Sequence, residues 1–464
     1  MTMRSIGSLV LVAALAAACT SPKGPQSSGL EAPAGWSGLA DAEAAGPLAT
    51  SDAAEVEQHW WQTFKDPMLD RLIDDALANN KSLRIAAGRV EEAEAGRRGA
   101  VAVLMPEVVG TGGLSRGNQG LATLNKTVSV KEAYLQASWE ADLFGKNQAR
   151  AAAAAAIVQT EEGRRQAVMV SLLAEVARNY FDLRNYQEQI AITQENLRTQ
   201  QRTLELIQAQ RSGALSSDLD VERAAAQVST TAAQLPVLRA AYKVALDRLN
   251  VLLGAAPGTL DRALAPGVAL APLAPTILVA VPARVLANRP DVRAAERNFA
   301  ASLSESDAAA REIYPTISLV GLFGVQDSSL FSATPWLAGA NLAQPLLNFG
   351  RIQSQIDAAN ARQTQAFFAY QEAVLEALAD MEDALVLYFQ ETGRQHELAA
   401  AAAQDRRAVD LAEQQYTNGY SGLLDLLVAQ RDALAADSSL AASNAELRKQ
   451  LVHIYTAAGG GWSL

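Results

Sequence analysis

The side chains able to do chemistry in this 464-residue chain are few and scattered. His59, His396 and His453 stand in separate contexts, with no paired motif beside any of them. Cys19 is the sole cysteine, so zinc, iron–sulfur and disulfide frameworks all lack ligands or partners. The paired acids Glu91-Glu92 and Glu161-Glu162 read as solvated helix faces. No nucleophile, acid–base pair or metal set converges, so the chain is not expected to be an enzyme or to hold a metal or cofactor. The charges that stand out lie at two turns. Asp220 and Arg223 follow the Ser-rich turn 212–217, and Asp425 and Arg431 follow the Gly-rich turn 418–422. An acid just inside a helix favours the N-terminal end of the dipole, which is the plain reading of Asp220 and Asp425. With threefold symmetry Asp425 would present a ring of three carboxylates, which disfavours anions and binds cations wherever such a ring lines a constriction. Leu423 and Leu424 beside Asp425 are then either core or an apolar collar.

The elements that must place these turns follow from composition. The chain is 49% hydrophobic, only 6% aromatic and 19% charged, with 93 alanines, a pattern suited to long, closely packed helices. The apolar content is too high for a disordered chain. No apolar run of about 20 residues follows residue 19, which excludes a multi-span helical membrane protein. The net charge of −11 argues against nucleic acid as a partner.

Self-similarity at a period near 205 residues organises the rest. Phe144-Gly145-Lys146 recurs as Phe349-Gly350-Arg351, and Asp220 recurs as Asp425. The heptad thread Val221, Val228, Leu235, Tyr242 and Leu249 maps at the same offset onto Leu426, Ala433, Leu440, Leu447 and Ile454. Small insertions shift some landmarks: Gly213 lies seven residues before Asp220, Gly419 six before Asp425. Each half reads as helix, strand pair, long helix, tight turn, long helix. The first helix is expected over 66–104 and ends at Pro106. From 107 to 143 the period changes to that of a strand pair, and Ala133, Leu135, Ala137, Trp139, Ala141 and Leu143 alternate with polar residues. One apolar and one polar face suits a barrel wall between lipid and water, and equally a half-buried soluble sheet. The equivalent strands are expected at Thr316–Val325 and Trp336–Leu347. The proline-free stretches 146–211 and 351–417 would be helices about 100 Å long. Pro236 should kink or end the first return helix. Four strands cannot close a barrel, whereas three chains give twelve strands and two chains eight, so sister subunits are required.

The chain start has a secretory layout: Arg4, an apolar stretch from Ile6 to Ala18, then Cys19. The small residues before Cys19 resemble a bacterial lipoprotein box, although Leu15 stands one place early and Ala16 occupies its usual slot. The expectation is a signal peptide at 1–18, a covalent lipid on Cys19 and an extended tether over 19–56; the alternative is an ordinary signal cut. Thr20 and Ser21, in place of an aspartate, favour the outer membrane.

Several motifs occur in order: Trp60-Trp61-x-x-Phe64-x-Asp66-Pro67-x-Leu69, Ser138-Trp139-Glu140-x-Asp142-Leu143-Phe144-Gly145, Gln234-Leu235-Pro236, Leu252-Leu253-Gly254-x-x-Pro257-Gly258, Arg289-Pro290-Asp291-Val292-Arg293, Gln415-Tyr416-x-x-Gly419 and Leu426-Leu427-x-Ala429-Gln430-Arg431. Together they resemble the TolC family of outer-membrane efflux channels, in the lipoprotein branch that serves resistance–nodulation–division pumps. The resemblance implies a mostly α fold with a small membrane β-barrel. Two tandem repeats would each give two strands and long helical hairpins, and a homotrimer would join a twelve-strand barrel to a periplasmic α-helical barrel. It divides the chain into repeats at 57–255 and 285–458, an equatorial linker at 256–284 and a tail at 459–464. It implies a passive exit duct for drugs or other small solutes. The partners implied are a periplasmic adaptor, an inner-membrane pump and outer-membrane lipid. By the same resemblance Asp425 is one of two gate acids three residues apart, the other slot holding Val428. Tyr416 and Arg431 match positions that tie neighbouring hairpins. The rival readings are a structural coiled-coil lipoprotein and the exit duct of a type I secretion system.

Overall fold

The computed structural model describes residues 28–37, 48–51, 58–118, 127–268, 270–273, 277–329 and 331–462. The expected signal segment 1–18, Cys19, Thr20, Ser21 and the end of the tail lie outside them. In chain order the elements are β1 (Leu48–Ser51), α1 (Pro67–Asn79), α2 (Lys81–Ala102), β2 (Glu107–Gly117), β3 (Val128–Ala141) and α3 (Lys146–Ser212). There follow α4 (Asp218–Ala232), α5 (Gln234–Leu252), α6 (Asp261–Leu264), β4 (Ile277–Ala280), α7 (Pro282–Asn288) and α8 (Pro290–Ala310). The chain continues through β5 (Thr316–Ser328), β6 (Ser332–Ala333) and β7 (Trp336–Ala343) to α9 (Arg351–Thr417) and α10 (Leu423–Ala457). Among the described residues no helix is long and apolar enough to cross a membrane.

The duplication is built into the backbone. Helices α3 and α9 each run 67 residues, and both of their ends are displaced by 205 residues. The repeated Phe-Gly step before each marks a left-handed turn, with φ +74° at Gly145 and +82° at Gly350, where a side chain would be strained.

The chain divides into two compact units. The first holds 87–164 and 292–373 and carries the main sheet, in the order β2-β3-β5, with β6 and β7 both paired to β5. β6 and β7 act as one strand interrupted at Thr334-Pro335. The register puts Val108 opposite Ala137, Gly110 opposite Leu135 and Gly112 opposite Ala133. Leu135 in turn faces Phe323, and Phe323 faces Trp336. Directly opposed residues share a face, so one side of the sheet is built from Val108, Ala133, Leu135, Ala137, Trp139, Leu319, Phe323, Trp336 and Leu342. The other side is mixed: Thr111, Glu132, Tyr134, Gln136 and Gln326 stand among Val109, Val320, Leu322 and Leu337. The last strand stops at Ala343 rather than at Leu347 as expected, because Pro345 has no N–H to donate to the ladder.

The sheet base explains the Trp139-to-Gly145 motif. Trp139 Nε1 donates to Leu104 O at 2.9 Å, and Phe144 stacks on Tyr314 at 4.9 Å. Arg311 Nη1 donates to Gly145 O at 2.6 Å. The helices of this unit bury small residues, among them Ala149, Ala153, Ala301, Ala308 and Ala359, and Phe299 packs on Phe367 at 5.3 Å.

The second unit, 31–86, 165–291 and 374–464, holds the large apolar core. Trp60, Trp61, Phe64 and Leu69 are buried in it, and Trp60 stacks on Tyr455 at 5.8 Å. Asp66 caps α1 by accepting from Met68 N and Leu69 N. The expected helix 66–104 is two helices: Asn80 is extended, its amide donating to Leu252 O while its carbonyl accepts from Leu83 N. Arg289 joins the start of α8 to α9 and α10. It bonds Asp291 (2.7 Å), Asp380 (2.7 Å) and Ala457 O (3.0 Å), and His453 Nε2 lies 2.8 Å from Asp380. Burial opposes the charge on Asp380, yet His453 and Arg289 hold its carboxyl down at about 2.

The extended tether expected over 19–56 is corrected where the chain is described. Trp36 is 6% exposed in the core, with its indole N–H donating to Ala280 O at 2.9 Å. Ser37 donates to Glu382 through both its N–H and its hydroxyl, and β1 pairs in parallel with β4. A Gly/Pro/Ser-rich average concealed one large apolar anchor and a short strand.

Candidate gate at the hairpin tips

Both turns that carry the singled-out charges belong to the second unit. They end by the same device. Helix α9 closes with Gly419 left-handed at φ +76°, with Gly419 N bonded to Tyr416 O and Tyr420 N to Gln415 O. These are the bonds of a Schellman-type cap. In the first hairpin the matching conformation falls on Ala214, at φ +58°, with Ala214 N bonded to Arg211 O and Leu215 N to Gln210 O. Gly213 is one place too early, so an alanine carries the strain that a glycine would avoid.

The two aspartates occupy the same helical position and differ in what surrounds them. Asp220 is the third residue of α4, after the N-cap Ser217. Ser217 Oγ donates to Asp220 Oδ2 at 2.7 Å and accepts from Asp220 N at 3.2 Å, while Ser217 N donates to the same carboxylate at 3.2 Å. This is a reciprocal capping box. The Ser217 bonds pull the Asp220 carboxyl below its ordinary value, with Arg223 adding a smaller electrostatic contribution. Asp425 is the third residue of α10, but its N-cap is Gly422, which has no side chain to exchange. Its carboxylate is exposed and makes no hydrogen bond or ion pair among the described residues.

The remaining candidates divide as follows. Leu423 is buried with Ile207, Ala224 and Leu427 in a small cluster that fastens the two tips together. It is therefore core, whereas Leu424 is exposed, as is Val428. Tyr416 packs against that cluster and donates from Oη to Gln210 Oε1 at 2.7 Å. Burial pushes its phenol up, and the Asp220 charge adds to the shift. Arg431 is exposed and pairs with its neighbour Asp432 at 2.8 Å, so it ties no other hairpin within this chain. Arg223 is exposed and forms no ion pair among the described residues.

Three tip contacts were absent from the sequence reading. Arg211 grips Asp218 with two bonds, 2.6 and 3.0 Å, across the first turn. Gln430 donates to Thr203 at 3.1 Å, and Gln210 receives Tyr416. Only the capping box had a legible signal, in the spacing Ser217-x-x-Asp220. The others join residues on different helices or across a turn. The arrangement can hold a pair of hairpins shut and present one unengaged carboxylate per chain. Among the described residues no group of three or more histidine, cysteine or acidic side chains could hold a metal ion.

Comparison with known proteins identifies the setting. The family described as outer membrane efflux protein matches residues 72–255 and 281–460, one segment per repeat. This chain belongs to the outer membrane efflux protein family. It is 31% identical to the pyoverdine export outer membrane protein OpmQ of Pseudomonas aeruginosa, over all of this chain and 98% of that one. It is 28% identical to nodulation protein T of Rhizobium leguminosarum bv. trifolii, over 89% of this chain and 90% of that one. Among solved structures, the outer-membrane channel OprN superposes with a TM-score of 0.85 at 30% identity, over 95% of this chain and 100% of that one. The efflux protein described here is an outer-membrane channel of the TolC type, and its family is one of ducts rather than enzymes.

Proposed function

We propose that three copies of the chain form a passive exit duct whose periplasmic end is closed by the hairpin tips. The supporting observation is the main sheet. It has one apolar face, interrupted only towards one end by Lys131 and Asp327, and both outer strands, β2 and the β6/β7 strand, have no partner on their free edges among the described residues. Unpaired strand edges in lipid cost several kcal/mol per backbone group, so four such strands reach a stable state only by pairing with strands of further copies. Twelve strands from three copies close a barrel. The exposed tips, with Leu215, Leu219, Tyr420 and Leu424 outward, form the end that meets a periplasmic adaptor, behind which stands an inner-membrane pump. The solutes are small molecules of the kind named for the relatives, which include pyoverdine export and toluene efflux proteins. Selection among them falls to the pump.

The purified assembled protein in a planar bilayer should give discrete, small, cation-preferring currents that divalent cations reduce. Detergent-solubilised protein that never inserts or conducts contradicts the duct. The lipid proposed on Cys19 is tested separately: labelled palmitate should enter the wild-type chain and be absent from Cys19→Ala, and equal labelling refutes the anchor.

A further inference from the structure

A cavity of about 420 Å³ lies in the second unit, lined by α3, α10 and the segment that follows α6. Two arginines face it, and both differ from the other desolvated arginine of this unit. Arg289 has two carboxylates. Arg184, 4% exposed, has none: one guanidinium nitrogen donates to Gln187 Oε1 and Pro266 O, both at 2.7 Å. Its carbon lies 5.0 Å from the Tyr180 ring centroid, and its Nε is buried with no hydrogen-bond partner. Arg448 likewise donates only to carbonyls, Asn444 O at 2.7 Å and Ala271 O at 3.0 Å. Neither arginine makes an ion pair among the described residues. The nearby acids Asp182 and Glu446 are taken by Lys449, at 2.9 and 2.8 Å. Burial pushes the Arg448 guanidinium down from its ordinary value, opposed by the charge of Glu188, which lines the cavity from α3. Glu188 itself is exposed and unpaired among the described residues.

Taking a cation out of water without a counter-charge is costly, and carbonyl oxygens supply only part of the compensation. Guanidinium forks match oxyanions bidentately and bind them more strongly than neutral acceptors do. We infer that this cavity is a binding site for a small oxyanion, a carboxylate or phosphate group, received by Arg184 and Arg448. The volume accommodates a small organic acid as well as an inorganic ion. The site involves neither the sheet nor the hairpin tips, so it stands independently of the duct reading.

The test is equilibrium dialysis of the assembled full-length protein against labelled inorganic phosphate at constant ionic strength. Saturable binding is expected, at about one phosphate per chain, competed by acetate and sulfate but not by chloride. Arg448→Gln should weaken it about tenfold, the usual scale for losing a hydrogen bond to a charged group. Glu188→Gln, which removes a like charge from the wall, should tighten it about threefold. A merely structural role for the arginines would leave the Glu188 variant unmoved. No saturable binding by the wild type overturns the site, as it would if a carboxylate of a neighbouring subunit already filled it. So does an Arg448→Gln protein that assembles and binds as the wild type does. Should Arg448→Gln fail to assemble, an unchanged affinity in Glu188→Gln overturns it alone.

Discussion

Leu135→Arg should leave the protein unable to assemble in the outer membrane, while Gln136→Arg, one residue along, assembles normally. Leu135 is 57% exposed in the single chain, yet it lies at the middle of the apolar face, between Gly110 and Phe323. That exposure has no soluble explanation: Leu114, Phe323, Trp336 and Leu342 are bared alongside it. An arginine on the lipid face of a membrane barrel costs about 2–4 kcal/mol near the bilayer midplane, which becomes roughly 6–12 kcal/mol when three chains each carry it. Gln136 points to the opposite face, which carries Thr111, Glu132 and Tyr134 and is not the one proposed to meet lipid. The readout is the heat-modifiable mobility of the membrane fraction, present for Gln136→Arg and lost for Leu135→Arg. Equal behaviour of the two variants would mean that the sheet does not separate lipid from water.

Asp425→Ala should raise the conductance of the reconstituted channel and weaken its block by divalent cations by about tenfold, as removal of a ring of three like charges at a neck implies. Asp220→Ala should leave the conductance unchanged. The two acids are sequence equivalents, and from spacing alone both are gate candidates. The structure separates them by their N-caps. Ser217 engages the Asp220 carboxylate, whereas Gly422 leaves that of Asp425 unengaged. Removing Asp220 therefore costs the first hairpin its reciprocal cap, a loss of stability without loss of charge from the neck. Val428 stands in the slot where the resemblance implies a second acid, so no carboxylate there would compensate for this one substitution. An unchanged conductance in Asp425→Ala removes that residue from the gate.

Much of this architecture was legible because it rests on long-range pattern. Proline-free, alanine-rich stretches located α3 and α9, and Leu235, Leu249, Leu426, Ala433 and Ile454 of the heptad thread and its copy are buried. Pro236 interrupts its helix where its ring meets the carbonyl four residues back, so α4 ends at Ala232. What stayed hidden depends on single side chains reaching across the fold. Asn80 splits the first helix by bonding Leu252 O, and Trp36 fixes a segment whose composition reads as linker. At the hairpin tips, spacing placed Asp425 and the family resemblance placed Tyr416, but neither gave their partners. Leu423 and Leu424 are adjacent in the chain, yet only the helix packing assigns one to the core and one to solvent.

The most direct measurement is native mass spectrometry of the full-length protein extracted from the outer membrane in mild detergent. Three copies per particle are expected, since two unpaired strand edges on a four-strand wall require sister chains and twelve strands close. A stable single chain, or a closed pair, would contradict the shared barrel and the carboxylate ring with it.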